Sequence, residues 1–109
     1  MKRLIALLIA AGVCAALAVP AFAATKTVNV GPKKTFGPTS VSISRGDTVR
    51  FRWTGGLPHN IRITSGPQKG SISAVRKKGT VPWKPTRAGT YRLLCDVHAP
   101  GMKMTVTVK

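Results

Sequence analysis

Glutamate is absent from this 109-residue chain, and only two aspartates, Asp47 and Asp96, stand against eighteen lysines and arginines. No Ser-His-Asp set or carboxylate pair stands in the sequence to suggest hydrolysis. Acid–base chemistry has almost nothing to run on, so the chain is not expected to be an enzyme. Histidine is nearly absent too, with only His59 and His98, and the two cysteines are Cys14 and Cys95. There is no internal repeat and no low-complexity tract. Nothing beyond the first two dozen residues has the period of a long amphipathic helix.

What is present begins with a leader. Met1, Lys2 and Arg3 form a short basic start, the stretch from Leu4 to Val19 is almost wholly apolar, and Ala21-Phe22-Ala23 is an Ala-x-Ala cleavage signal. These three features predict a secretory signal peptide over residues 1–23 and one small domain over residues 24–109. Polar Thr25 and Lys26 follow at once, which argues against a retained membrane anchor. Val13 before Cys14 argues against a lipoprotein. Cleavage takes Cys14 away and leaves Cys95 as the single thiol. It has no partner for an internal disulfide in an oxidising compartment, and a metal bond would occupy and protect it.

Loss of Lys2 and Arg3 takes the formal charge from +16 to +14. A field of that strength favours acidic partners and speeds association with them at low salt. Export argues against nucleic acid as a native ligand. The expected partners are acidic redox proteins, with electrostatic association to an anionic envelope surface as a further consequence. The domain is expected to be a monomer in the periplasm or the extracellular cell envelope.

The remaining pattern has period two, broken by Gly and Pro. Thr27–Val30, Val41 and Ile43, Val49/Phe51/Trp53, His59/Ile61/Ile63, Tyr91/Leu93/Cys95 and Met102/Met104/Val106/Val108 each put apolar residues on one face. Residues 31–38 read as a loop, and residues 65–79 are the hardest to assign, with a short strand near Ile72 to Val75. Val81 to Lys84 reads as a further short strand. Seven or eight strands at this spacing predict an antiparallel sandwich or barrel. Trp53 is expected to pack in the core and Trp83, between two prolines, to anchor a loop.

The parity has chemical consequences. His59, Cys95 and Met102 share the inward faces of their strands, and His98 comes from the loop joining the last two strands. A metal would then lie just beneath one end of the sandwich. Two imidazoles, one thiolate and a weak thioether are the donor set of a blue-copper electron-transfer site. Any one of these residues alone is ordinary core or turn. Together they are the only thiol and both imidazoles of the mature chain, with a methionine four positions after the second histidine. One buried metal with all positions filled leaves none open for a substrate.

These residues resemble the cupredoxins, and specifically the small plastocyanin and pseudoazurin-like group. The resemblance covers essentially the whole mature chain. It rests on Gly89-Thr90-Tyr91 through Cys95, His98 and Met102 to the terminal Thr-Val-Thr-Val, on Pro58-His59-Asn60, and on the Gly46-to-Trp53 strand. It implies a Greek-key β-sandwich and one type 1 copper held by His59, Cys95, His98 and Met102. It further implies that Asn60 braces the two ligand loops. His98 would lie at the surface in an apolar patch formed by Leu57, Pro58, Ala99, Pro100 and Gly101, and electrons would leave through its exposed edge.

The chain departs from that pattern in three places. Three residues separate His98 from Met102, where plastocyanins and pseudoazurins usually have four and amicyanins two. Asp96 follows the cysteine, where Ser or Thr is common, and a carboxylate there would lower the potential unless it turns to solvent. Met104 offers a rival axial thioether of the same parity, although the terminal Thr-Val-Thr-Val alignment favours Met102. The expected function is an exported blue copper protein shuttling single electrons between redox partners. The alternatives are a copper carrier or chaperone using the same ligands, and a basic module binding anionic envelope polymers.

Overall fold

The computed structural model describes residues 23–109; the expected signal peptide falls almost wholly on residues outside that range. Nine strands follow in order: β1 Thr25–Val30, β2 Phe36–Gly37, β3 Ser40–Ile43, β4 Thr48–Trp53, β5 His59–Ser65, β6 Gly70–Arg76, β7 Thr80–Trp83, β8 Gly89–Leu94 and β9 Lys103–Val108. A single 3₁₀ turn, Asp96–His98, lies between β8 and β9. The strands form a five-stranded sheet ordered β3-β9-β8-β5-β6 and a four-stranded sheet ordered β2-β1-β4-β7.

Alternation builds the core. On β4 the pattern Thr-Val-Arg-Phe-Arg-Trp buries Val49, Phe51 and Trp53 and leaves Arg50 and Arg52 in solvent. Facing them from the five-stranded sheet are Ile61, Ile63, Tyr91, Leu93, Met104, Val106 and Val108, all buried. Each such side chain contributes about 1.5–3 kcal/mol on leaving water. Tyr91 is fully buried, yet its hydroxyl donates to the Arg87 carbonyl at 2.7 Å. Tyr91→Phe is expected to cost about 1 kcal/mol, read as a fall of about 4–8 °C in the melting temperature.

The all-β sandwich agrees with the sequence pattern, but the sheets are mixed rather than wholly antiparallel. β1 pairs with β4 in parallel, and so does β3 with β9. The reason is connectivity. Between β1 and β4 the chain crosses to the other sheet as β3 and returns, so it re-enters the first sheet in its original direction. A hairpin would have reversed it. Three local expectations also change. The loop over residues 31–38 contains β2, whose Phe36 is buried. The strand expected near Ile72 runs over seven residues. Trp83 ends β7 instead of anchoring a loop, and meets Tyr91 edge-on with ring centroids 5.2 Å apart.

One of the two acids is structural. Asp47 accepts from the backbone N–H of Ala24 and of Ser44, both at 2.9 Å, and ties the start of β1 to the turn before β4. Those two bonds hold its carboxyl below the usual carboxylate range.

Candidate metal centre

His59 opens β5, Cys95 directly follows β8, His98 closes the 3₁₀ turn and Met102 directly precedes β9. The β8–β9 connection is closed by its own backbone. Cys95 N–H donates to Met102 O at 2.9 Å, Met102 N–H to His98 O at 3.2 Å, and His98 N–H to Cys95 O at 3.3 Å. The antiparallel register of β8 and β9 sets Lys103 opposite Leu94 and Met104 opposite Leu93. The Cys95–Met102 bond extends that register by one pair. Met102 therefore faces Cys95 across the strands, while Met104 sits two pairs deeper.

Three side chains converge. Sγ of Cys95 lies 3.8 Å from Nδ1 of His59 and 3.7 Å from Nδ1 of His98, and the two Nδ1 atoms are 3.1 Å apart. This is the metal-competent His/Cys cluster among the described residues. Donors bound to one first-row ion at about 2.0–2.3 Å stand roughly 3–4 Å from one another, so the triangle fits a single ion. Cys95 and His59 are fully buried, Met102 is buried, and His98 is half-buried.

His59 is fixed from three sides. Trp53 Nε1–H donates to its carbonyl at 3.2 Å. Arg76, which pairs with His59 in the β5–β6 register, lies over the Trp53 ring at 5.6 Å. Behind the imidazole stands Gly31, where a Cβ would be 3.5 Å from Nε2. That nitrogen is buried without a hydrogen-bond partner, so the ring's polar contacts are made by Nδ1 alone, towards the sulfur and His98. Burial first, and then the positive field of His98, holds His59 below the usual histidine pKa. The neutral imidazole keeps a lone pair for a metal.

The outer wall of the site is a hydrogen-bonded clamp. Asn60 Oδ1 accepts the Asp96 N–H at 2.7 Å, and Asn60 Nδ2–H donates to Asp96 Oδ2 at 2.8 Å. Arg62 donates to the same carboxylate through Nη2 at 2.6 Å and Nε at 3.0 Å. Asp96 thus turns outward onto partners rather than towards the sulfur. The Arg62 guanidinium, and then Asn60, pull its carboxyl down to about 2. A lowered carboxyl pKa makes the folded state more stable above the free-chain value of 3.8, and that share is lost as pH falls from there to about 2. The melting temperatures of wild type and Asp96→Asn are therefore expected to differ at pH 5 and to converge by pH 2. The family resemblance pointed to Asn60. Arg62 was not legible from the sequence, although strand parity sets both on the outer face of β5 and only one acid is at hand.

A model of copper-binding proteins of the plastocyanin/azurin family matches residues 23–109. The chain belongs to that family. Among individual relatives, it is 38% identical to the plastocyanin of Ulva prolifera over 84 residues, covering 68% of this chain and 86% of that protein. It is 34% identical to the plastocyanin of Prochlorothrix hollandica over 110 residues, covering 91% and 84%. A reduced amicyanin variant superposes with a TM-score of 0.67 at 26% identity over 78% of this chain and 82% of that one. A fern plastocyanin variant gives 0.66 at 28% over 76% and 99%. Copper is accordingly the cofactor of this cupredoxin, and its class carries electrons to redox partners rather than catalysing a reaction.

Proposed function

We propose that this cupredoxin is an exported, monomeric electron shuttle in which His59, Cys95 and His98 would hold one type 1 copper, with Met102 supplying a weak thioether. The buried triangle of one sulfur and two Nδ1 atoms carries the reading. Copper supplies the one-electron couple between Cu(II) and Cu(I). The chain's own residues supply rigidity: three backbone bonds close the ligand loop and a strand end holds His59, so little moves when the charge changes. That closure favours electron transfer over the copper-carrier reading, which needs a loop that opens to release its cargo. The Met102–Cys95 cross-strand pairing favours Met102 over Met104.

Export is supported by the apolar leader and its Ala-x-Ala site, and by a family match that starts at residue 23. Cleavage after Ala23 would make the Ala24 nitrogen, 2.9 Å from Asp47 Oδ1, a charged ammonium and strengthen that bond. The domain is then residues 24–109, in the periplasm or the cell envelope, apart from nucleic acid. Polar, basic outer sheet faces and like-charge repulsion support a monomer.

An acidic partner is supported by the charge and by a groove of about 540 Å³ on the five-stranded sheet. Arg92, Lys103 and the hydroxyls of Thr39, Thr64 and Thr105 line it, and no carboxylate does. The same charge favours association with an anionic envelope surface. Exposed Leu57 and Val97 stand in the sequence beside the two histidines and suit brief apolar docking. Leu57→Glu is expected to keep the copper spectrum and slow exchange with an acidic redox protein in stopped flow. His98→Ala is expected to slow it by about tenfold or more. A module that merely binds polymers would be indifferent to His98→Ala.

A further inference from the structure

Arg62 belongs to no ligand loop, yet it makes the one ion pair among the described residues, and makes it with the residue next to the thiol. Its strand, β5, begins with His59, and Asp96 opens the turn that ends at His98. Through Asp96, Arg62 joins the strand carrying one imidazole to the loop carrying the sulfur and the other. Asn60 alone could make part of this link, because it both donates to the carboxylate and accepts the Asp96 N–H. A free carboxylate beside the sulfur would still have a choice. It could stay on Asn60, or swing and lay its charge against the metal. Two guanidinium nitrogens on the two oxygens remove that choice.

We propose that Arg62 is a positioning residue of the copper centre: it holds the Asp96 carboxylate outward on Asn60 and so keeps the Cys95–His98 loop closed against β5. This rests on the copper reading of Cys95 for its electronic consequence, but not for its mechanical one. Without Arg62, Asp96 is free to turn its charge towards the sulfur. A negative charge there stabilises Cu(II), the more positive state, over Cu(I). The bonds that pin the loop also weaken, and a loosely pinned loop opens more often. Both effects require Asp96. That requirement separates positioning from the simple loss of a distant positive charge, which would act the same whether Asp96 is present or not.

The test is a double-mutant cycle of Arg62→Gln and Asp96→Ser. Both side chains are nearly half-exposed, at 46% and 43%, so the variants are expected to fold, with circular dichroism as the check. The first readout is the Cu(II)/Cu(I) equilibrium of the copper-loaded protein in 1 M salt, where long-range charge effects are screened within about 3 Å. Arg62→Gln is expected to shift it at least threefold towards Cu(II), about 28 mV for a one-electron couple. In the Asp96→Ser background the same change is expected to shift it less than about 1.3-fold. The second readout uses no copper: the rate at which iodoacetamide alkylates Cys95 in the metal-free protein. Arg62→Gln is expected to raise that rate at least threefold with Asp96 present, and to leave it unchanged in the Asp96→Ser background, where the carboxylate is already gone. Equal shifts in both backgrounds, or no shift in either readout, would overturn the proposal. A conditional alkylation rate in a protein that forms no blue centre would instead uphold the clamp and overturn the copper reading.

Discussion

Cys95→Ser is expected to abolish the intense visible band of the copper-loaded protein and to weaken copper binding by more than about 100-fold. Loss of a residue merely supporting a ligand typically costs about 10–100-fold, and here a ligand itself is lost. The physical reason is the change of atom. A thiol ionises within reach of neutral pH to a soft thiolate that bonds covalently to copper, whereas a serine hydroxyl stays protonated and hard. The substitution is nearly isosteric. Cys95 is fully buried and its backbone N–H is already bonded to Met102, so the fold is expected to survive. What remains is two imidazoles 3.1 Å apart at Nδ1 and a thioether side chain, a set that binds Cu(II) weakly and without strong colour. The check is a copper titration followed by absorption, with circular dichroism confirming the sheet content. A serine variant that kept the blue band would show that the sulfur is not a ligand.

The second large effect is on stability, and it arises away from the ligands. Gly31 has φ of +101°, a conformation that favours glycine, and a Cβ there would stand 2.3 Å from the Thr54 carbonyl oxygen and 3.5 Å from His59 Nε2. The obstacle is backbone directly after Trp53, so it cannot swing aside as a side chain would. Strain at such a φ costs roughly 1–3 kcal/mol, and forced overpacking roughly another 1–3 kcal/mol. Gly31→Ala is therefore expected to cost roughly 2–6 kcal/mol and to lower the melting temperature of the metal-free domain by about 8–48 °C, at about 4–8 °C per kcal/mol. It should also weaken copper binding, because Gly31 backs the His59 ring. Gly37 is the control. It has no positive φ, and nothing lies within 4 Å of its would-be Cβ, so Gly37→Ala should change the melting temperature by only a few degrees.

The convergence of His59, Cys95 and His98 was legible because rarity and parity coincide in it. With two histidines and one cysteine in residues 24–109 there was little choice of metal-binding side chains, and period two alone set His59, Cys95 and Met102 on buried faces. Strands with one clean apolar face, such as β4 and β9, were legible for the same reason. β6 was not. It is an edge strand, and its pairing with β5 slips twice near His59. Its Ile72 is only partly buried while the neighbouring Ser73 is buried, so its sequence shows no alternation. The parallel pairs were hidden because strand direction depends on where the chain crosses between sheets, which local pattern does not encode. Arg62 was hidden for another reason. In a chain with eighteen basic residues, one more arginine on a solvent face carries no signal until the position of Asp96 is known.

That the buried sulfur and two imidazole nitrogens hold one type 1 copper is tested most directly by titrating the purified domain, residues 24–109, with Cu(II). Visible absorption and electron paramagnetic resonance follow the titration. An intense blue charge-transfer band with a narrow copper hyperfine splitting, saturating at one equivalent, is the expected result. A pale spectrum with the wide splitting of ordinary tetragonal copper, or saturation at any other stoichiometry, would contradict it.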